Sequence, residues 1–162
     1  MKRVKPQPGQ ESVWDYPRPP AIEPVRLHIK VIVAEVCIYD HNASFRILET
    51  SHPPTYYLPL DRFINCEVIE TSRTSFCEWK GQANYYHIKV GDRLINYPAW
   101  GYKSPNSKYR QIRDHISIYA DAMEGCYIDD EKVQPQEGDF YGGWITSRVV
   151  GPFKGAPGTW GW

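Results

Sequence analysis

Apolar and polar residues alternate over short stretches along most of this chain, as they do in β-strands with one buried face. Turn-forming residues such as Gly91-Asp92 and Asp129-Asp130 separate these stretches. The pattern predicts strands at residues 25–33, 35–39, 45–49, 66–70, 83–90, 94–100, 115–119 and 125–133, the last a hairpin that turns at Asp129-Asp130. Short strands at this spacing favour an antiparallel sandwich or an open barrel.

Helical patterns are few and short. A proline near the start of residues 59–64 predicts one helical turn there, and residues 107–113 favour a second. The pattern therefore predicts a mostly β fold with few short helical turns.

Both ends of the chain have unusual compositions. Residues 1–24 carry six of the fourteen prolines, which excludes a regular helix or a central strand. Residues 1–11 are expected to be flexible and residues 12–162 to form a single β-domain, with 12–20 lying across it as a clasp. Residues 140–162 hold three of the six tryptophans and six of the twelve glycines. We expect this apolar segment to wrap the fold or to pack on a partner subunit.

Composition excludes several classes of partner. Acidic and basic residues number 19 each, so the net charge is zero and no nucleic-acid partner is expected. No apolar run approaches the roughly 20 residues of a membrane helix. The N-terminal charges at Lys2 and Arg3 precede no apolar core, so we expect no signal peptide, no membrane partner and a cytoplasmic location.

The four cysteines, Cys37, Cys66, Cys77 and Cys126, contain no Cys-x-x-Cys pair. Widely spaced cysteines in a reducing compartment are typically buried apolar thiols, so we expect neither disulfides nor a zinc site. No metal and no cofactor are predicted for this chain.

The segment at residues 48–59 holds the densest group of reactive side chains. Glu49 and His52 end an apolar strand and precede the stiff Pro53-Pro54 step. A carboxylate and an imidazole beside one cavity can exchange a proton, so both are candidates for ligand binding and for acid–base catalysis. The structural alternative is that His52 caps the turn and Glu49 pairs with an arginine. Ser51 is a poor nucleophile candidate, because neighbours on an extended chain point apart and no Gly-x-Ser-x-Gly elbow occurs.

A second group of candidate site residues is aromatic. Trp79 and Trp100, with Tyr56 and Tyr119, are candidates for the walls of a pocket, and Lys80 is a candidate for the charge at its mouth. Such walls suit a planar or a cationic ligand. The alternative is an ordinary aromatic core, which is the commoner place for tryptophan in a small β-domain.

His115 lies in the stretch predicted as a strand at residues 115–119. On a strand His115, Ser117 and Tyr119 share one face. We interpret His115 as a polar wall of the same pocket, and a hydrogen-bonded core histidine is the alternative.

Six segments, in order along residues 11–162, resemble the domain-of-unknown-function family 427. They are SVWDYPRPP (12–20), LETSHPPTYY (48–57), CEWKG (77–81), AWGY (99–102), FYGGWIT (140–146) and VVGPFKG (149–155). The resemblance implies a β-tent-like fold, in which two antiparallel sheets pack at a steep angle. Some members are labelled nucleotidyltransferases, but this chain has no Asp-x-Asp pair and no phosphate-binding loop.

These observations favour a small-molecule-binding protein whose pocket holds the eight candidate residues. The candidates are Glu49, His52, Tyr56, Trp79, Lys80, Trp100, His115 and Tyr119. Two other hypotheses remain open at this point. One is a metal-independent enzyme that uses Glu49 or His52 as acid or base, and the other is an interaction module that forms homo-oligomers through its aromatic C-terminal segment.

Overall fold

The computed structural model describes residues 1–138 and 140–162 of the chain. The first strands in this range are β1 (Glu11–Ser12), β2 (Ala21–Val25), β3 (Ile29–Val33), β4 (Val36–His41), β5 (Ser44–Leu48), β6 (Thr55–Pro59) and β7 (Glu67–Cys77). The later strands are β8 (Gly81–Val90), β9 (Arg93–Gly101), β10 (His115–Ile118), β11 (Gly125–Ile128), β12 (Glu131–Lys132), β13 (Gln134–Pro135), β14 (Trp144–Ile145) and β15 (Val149–Val150). Short 3₁₀ helices cover Val13–Asp15, Leu60–Arg62, Ser107–Ile112 and Ala120–Ala122.

Two antiparallel sheets form the body of the fold. A seven-stranded sheet has the order β2-β5-β6-β10-β9-β8-β7, and a four-stranded sheet has the order β12-β11-β3-β4. Two short pairs, β1 with β15 and β13 with β14, complete the sheets of the described residues. The predicted fold class, mostly β with antiparallel sheets and few helical turns, is confirmed.

Residues of both large sheets form the main apolar core. Side chains of the four-stranded sheet such as Val31 and Ile38 belong to one buried cluster with Tyr56, Leu58 and Ala99 of the seven-stranded sheet. Each large apolar side chain buried in this way contributes roughly 1.5–3 kcal/mol to stability.

The opposite face of the seven-stranded sheet carries a second apolar cluster. Tyr57 and Trp100 belong to it, although their neighbours Tyr56 and Ala99 belong to the main core. Successive residues of a strand point to opposite faces, which is why adjacent residues separate in this way. The second face is largely aromatic, and the candidate site lies against it.

Two predicted strands differ from the structure. The stretch at residues 25–33 divides into β2 and β3, which lie in different sheets. The strand predicted at residues 66–70 extends to Cys77 in β7, because pairing with β8 is interrupted after Glu70 and resumes at Thr74 along an exposed sheet edge. This extension carries the turn that follows Cys77 to the site.

The two ends of the chain lie against each other. β1 pairs in parallel with β15, and Nε1 of Trp14 donates a hydrogen bond of 2.8 Å to the carbonyl of Pro152. The backbone N–H of Lys154 donates to the carbonyl of Ser51 at 2.9 Å. The C-terminal segment therefore packs on its own chain beside residues 49–52. The division into a flexible segment at residues 1–11 and one domain at 12–162 stays a prediction.

In the described parts of the chain no helix is long and apolar enough to span a lipid bilayer. The cysteines differ in part from the expectation of buried thiols, because Cys126 is buried but Cys37, Cys66 and Cys77 are only half-buried. Burial raises the pKa of the Cys126 thiol, which keeps it protonated at neutral pH.

Candidate functional site

A cavity of about 450 Å³ lies over the aromatic face of the seven-stranded sheet. Its floor is formed by inward side chains of β5 to β9, including Thr55, Tyr57, Ala83, Tyr85 and Trp100. Residues of the C-terminal part of the chain cover it, among them Gln136, Tyr141 and Lys154. The cavity volume lies within the usual range for small-molecule sites.

Aromatic rings form one wall of this cavity. The rings of Trp100 and Tyr119 lie 4.4 Å apart with planes inclined at 40°, and Tyr57 meets Trp100 edge-on at 6.4 Å. The Tyr119 hydroxyl donates a hydrogen bond of 3.0 Å to the carbonyl of Phe140. This bond joins the wall to the segment that covers the cavity.

The turn between β7 and β8 forms a second wall. Cys77 pairs with Gly81, and Trp79 and Lys80 are two of the three residues between them. Gly81 adopts a φ of +105°, which side chains disfavour and which closes this tight turn. Asn106 stabilises the turn through two hydrogen bonds. Its Nδ2 donates to the Trp79 carbonyl at 2.6 Å, and its backbone N–H donates to the Lys80 carbonyl at 2.9 Å.

Lys80 is a buried cation that faces the cavity. Its side chain exposes 9% of its surface, and its ammonium lies 5.6 Å from the centre of the Tyr102 ring. Burial lowers the pKa of Lys80, but its electrostatic interactions with Tyr57, Cys77 and Glu49 outweigh this effect and raise the pKa above its ordinary value. Lys80 therefore carries its charge at neutral pH.

Glu49 and His52 lie together on the cavity wall. The Glu49 Oε2 lies 3.3 Å from the Arg18 Nε and 3.5 Å from the His52 Nε2. Arg18 also donates to the carbonyls of Thr50 and Trp162, each at 2.9 Å. The expected pairing of Glu49 with an arginine is thus present, and it places the carboxylate beside the imidazole.

Gln136 fixes the tautomer of His52. The Gln136 Oε1 accepts a hydrogen bond from the Gly143 N–H, so its Nε2 is the donor that lies 3.2 Å from the His52 Nδ1. Nδ1 is therefore an acceptor, and the ring proton of the neutral imidazole lies on Nε2, facing Glu49. Burial, followed by the positive charges of Lys154 and Arg18, lowers the pKa of His52 to about 3. The contact with Glu49 is therefore made by a neutral imidazole and is not an ion pair.

A protein-family model described as a domain of unknown function, DUF427, matches residues 21–129, which is most of the chain. The chain belongs to the DUF427 family. The family that the sequence resembles is thereby confirmed. No curated protein matches the chain. The matched part includes the turn with Lys80 and the Glu49–His52 pair, whereas Gln136 and Lys154 of this DUF427 protein lie beyond it.

Six of the eight side chains singled out from the sequence line this one cavity of the DUF427 protein. They are Glu49, His52, Trp79, Lys80, Trp100 and Tyr119. They come from separate strands and turns, and the sheet brings them together.

Tyr56 does not lie on the cavity, so its predicted place was wrong. Its ring packs on Trp144 at 5.3 Å in the main core. In β6 the neighbours Tyr56 and Tyr57 point to opposite faces of the sheet. As a result Tyr57, and not Tyr56, points into the cavity.

His115 was also predicted on the pocket wall and lies elsewhere. It borders a separate, shallow cleft with His41 and Asp61. Its ring packs on Phe45 at 5.4 Å, and its Nδ1 lies 2.9 Å from the Arg113 carbonyl. β10 ends at Ile118, so the shared face that alternation predicts for His115 and Tyr119 does not extend to Tyr119.

The cavity also has lining residues that the sequence interpretation missed. Tyr57, Tyr85 and Tyr102 follow from strand alternation once the register is known. Gln136 and Lys154 lie in segments with no periodic pattern, and no sequence signal places them there. Across the described ranges, no three His, Cys, Asp or Glu side chains are grouped in a way that holds a metal ion.

Proposed function

We propose that this DUF427 protein binds a small organic molecule in the cavity between the β7–β8 turn and the C-terminal cover. The observation that carries the proposal is the cavity itself, about 450 Å³ in volume, with aromatic walls and a few polar groups directed into it. Sites of this kind bury most of the surface of a small ligand and use their polar groups to orient it.

The hydrogen-bond framework around the cavity also supports binding. Gln136 joins three segments, because it contacts His52, donates to the Lys154 carbonyl at 2.7 Å and accepts from Gly143. Asn106 holds the turn of Trp79 in the same way. Walls that are fixed before binding lower the entropy cost of ligand association.

A thermal-shift screen of small aromatic and polar compounds tests the proposal. Compounds that occupy the cavity raise the Tm of the wild type, because a ligand that binds only the folded state stabilises it. The variant Thr55→Phe, which adds a ring on the cavity floor, is expected to lose most of each Tm shift. The control His115→Ala, on the separate cleft, is expected to keep it.

Two results would count against the binding proposal. One is a broad screen without a compound that stabilises the wild type. The other is a set of hits that stabilises Thr55→Phe as strongly as the wild type, since those compounds would then bind outside the cavity.

An acid–base enzyme is the second candidate, and the contact of Glu49 with His52 on the cavity wall favours it. A neutral His52 with its proton on Nε2 donates a hydrogen bond at neutral pH, and the Glu49 carboxylate beside it offers an oxygen that can accept a proton from a ligand. For any hit that the protein converts to product, Glu49→Gln is expected to lower the rate by about a hundredfold or more with little change in affinity. Unchanged turnover in that variant would remove Glu49 from the chemistry.

A further inference from the structure

Lys80 places a positive charge without an ion-pair partner on the wall of the cavity. Lys80 exposes 9% of its surface and lines the cavity. None of the ion pairs formed by the described residues includes Lys80. Its ammonium instead lies over the face of the Tyr102 ring in a cation–π contact. An ammonium that has no ion-pair partner and lies in a partly buried place attracts an anion more strongly than a fully solvated ammonium does, because the surroundings screen the attraction less.

Tyr57 lines the same cavity as Lys80 and also carries a polar group without a hydrogen-bond partner. Its side chain is fully buried and lines the cavity, and within the described ranges its hydroxyl has no hydrogen-bond partner. Tyr57 is also among the ionisable groups that surround Lys80. An ammonium and a hydroxyl without a partner, both on residues that line one cavity, form a site for a carboxylate or a similar anion.

The acidic residues of the cavity do not neutralise the positive charge of Lys80. Glu49 is already paired with Arg18. Glu78 borders the cavity at its solvent-exposed side, where water screens its charge. Lys154 lines the cavity as a second cation, so the lining favours a negatively charged ligand.

The remaining walls favour a flat ligand. Trp100 and Tyr119 present neighbouring rings, and Trp79 of the turn also lines the cavity. Aromatic side chains pack best on planar groups, by stacking or by edge contacts. The volume of about 450 Å³ corresponds to roughly 15 water molecules at about 30 Å³ each, which suits a compound with one or two rings.

We propose that the ligand is a small planar aromatic anion, with its ring system against Trp100 and its anionic group on the Lys80 ammonium and the Tyr57 hydroxyl. This inference rests on the proposed function and assigns the ligand class for the same cavity. A notable consequence is selectivity, because the neutral analogue of such a ligand leaves Lys80 without a counterion.

Calorimetric titration with two probes of nearly equal shape, 2-naphthoate and 2-naphthamide, tests the inference. The wild type is expected to bind the acid about tenfold or more tightly than the amide, since hydrogen bonds with charged groups contribute roughly 1.5–3 kcal/mol. Lys80→Met, which keeps the length of the side chain, is expected to abolish this preference. The control Lys89→Met, at an exposed position of β8 outside the cavity, is expected to retain it. Tyr57→Phe keeps the ring, and we expect it to lower affinity for the acid about fivefold and for the amide less.

Each other outcome overturns a defined part of the proposal. Equal affinity of the wild type for both probes overturns the anion preference and leaves small-molecule binding intact. A preference that survives in Lys80→Met, or that disappears in Lys89→Met, overturns the assignment to Lys80. If neither probe binds although the screen gives hits, the aromatic-anion class is wrong. If neither probe binds and the screen gives no hits, both proposals fail.

Discussion

Replacing Gly142 by alanine is expected to lower the free energy of unfolding by about 3 kcal/mol and to deform the cavity. A Cβ at position 142 would overlap ring carbons of Trp100. The ring has little room to move, because it is 7% exposed and packs on Tyr119 at 4.4 Å. Extra volume in a packed interior forces side chains and backbone apart, at a cost of roughly 1–3 kcal/mol and occasionally more.

Urea unfolding of Gly142→Ala beside Gly161→Ala measures this effect. Gly161 has open space around its Cβ position, so its alanine variant is expected to match the wild type. The double variant Gly142→Ala/Trp100→Phe is expected to recover part of the lost stability, because the smaller ring makes room. Wild-type stability of Gly142→Ala would contradict the close packing of this segment on Trp100.

The protein is expected to lose stability steeply in acid because of His52. Its pKa is lowered from 6.5 to about 3 by burial and by the charges of Lys154 and Arg18. Between those pH values the unfolded chain binds a proton at His52 that the folded chain does not bind. The free energy of unfolding therefore falls by about 1.4 kcal/mol for each pH unit, to a total of about 5 kcal/mol.

The variant His52→Asn isolates this effect from the other titrating groups. Asparagine does not titrate, and its side chain offers Gln136 an acceptor near the position of Nδ1. Urea unfolding of both proteins at several pH values between about 6.5 and 3 is expected to show the steeper loss in the wild type. Parallel pH profiles would show that His52 has the same pKa in the folded and in the unfolded chain, which would contradict the lowered pKa.

Much of the fold could be predicted from the sequence, because alternation of apolar residues directly reflects a sheet with one buried face. The strands around Ala83 and Leu94 were found in this way. β7 was predicted too short, since its polar residues at 71–75 lie at an exposed edge, where backbone pairing and not apolar burial defines the strand. Such an edge carries no alternation to detect.

The candidate site could be located in part for a related reason. Trp79 and Lys80 lie in a tight turn that ends at a glycine, and Glu49 precedes a proline step, so local sequence marks both places. Tyr56 and Tyr57 lie on opposite faces of β6, and the sequence does not mark which of the two faces meets the cavity. The contribution of Gln136 arises only from long-range packing, which no local pattern encodes.

Nuclear magnetic resonance of the indole N–H groups tests the central claim, ligand binding in this cavity, most directly. The chain has six tryptophans, of which Trp79 and Trp100 line the cavity. The indoles of Trp14 and Trp144 donate to backbone carbonyls elsewhere in the fold. Titration of the ¹⁵N-labelled protein with a stabilising compound is expected to shift the Trp79 and Trp100 signals and to leave those of Trp14 and Trp144 in place. Unmoved Trp79 and Trp100 signals at saturation would contradict binding in this cavity.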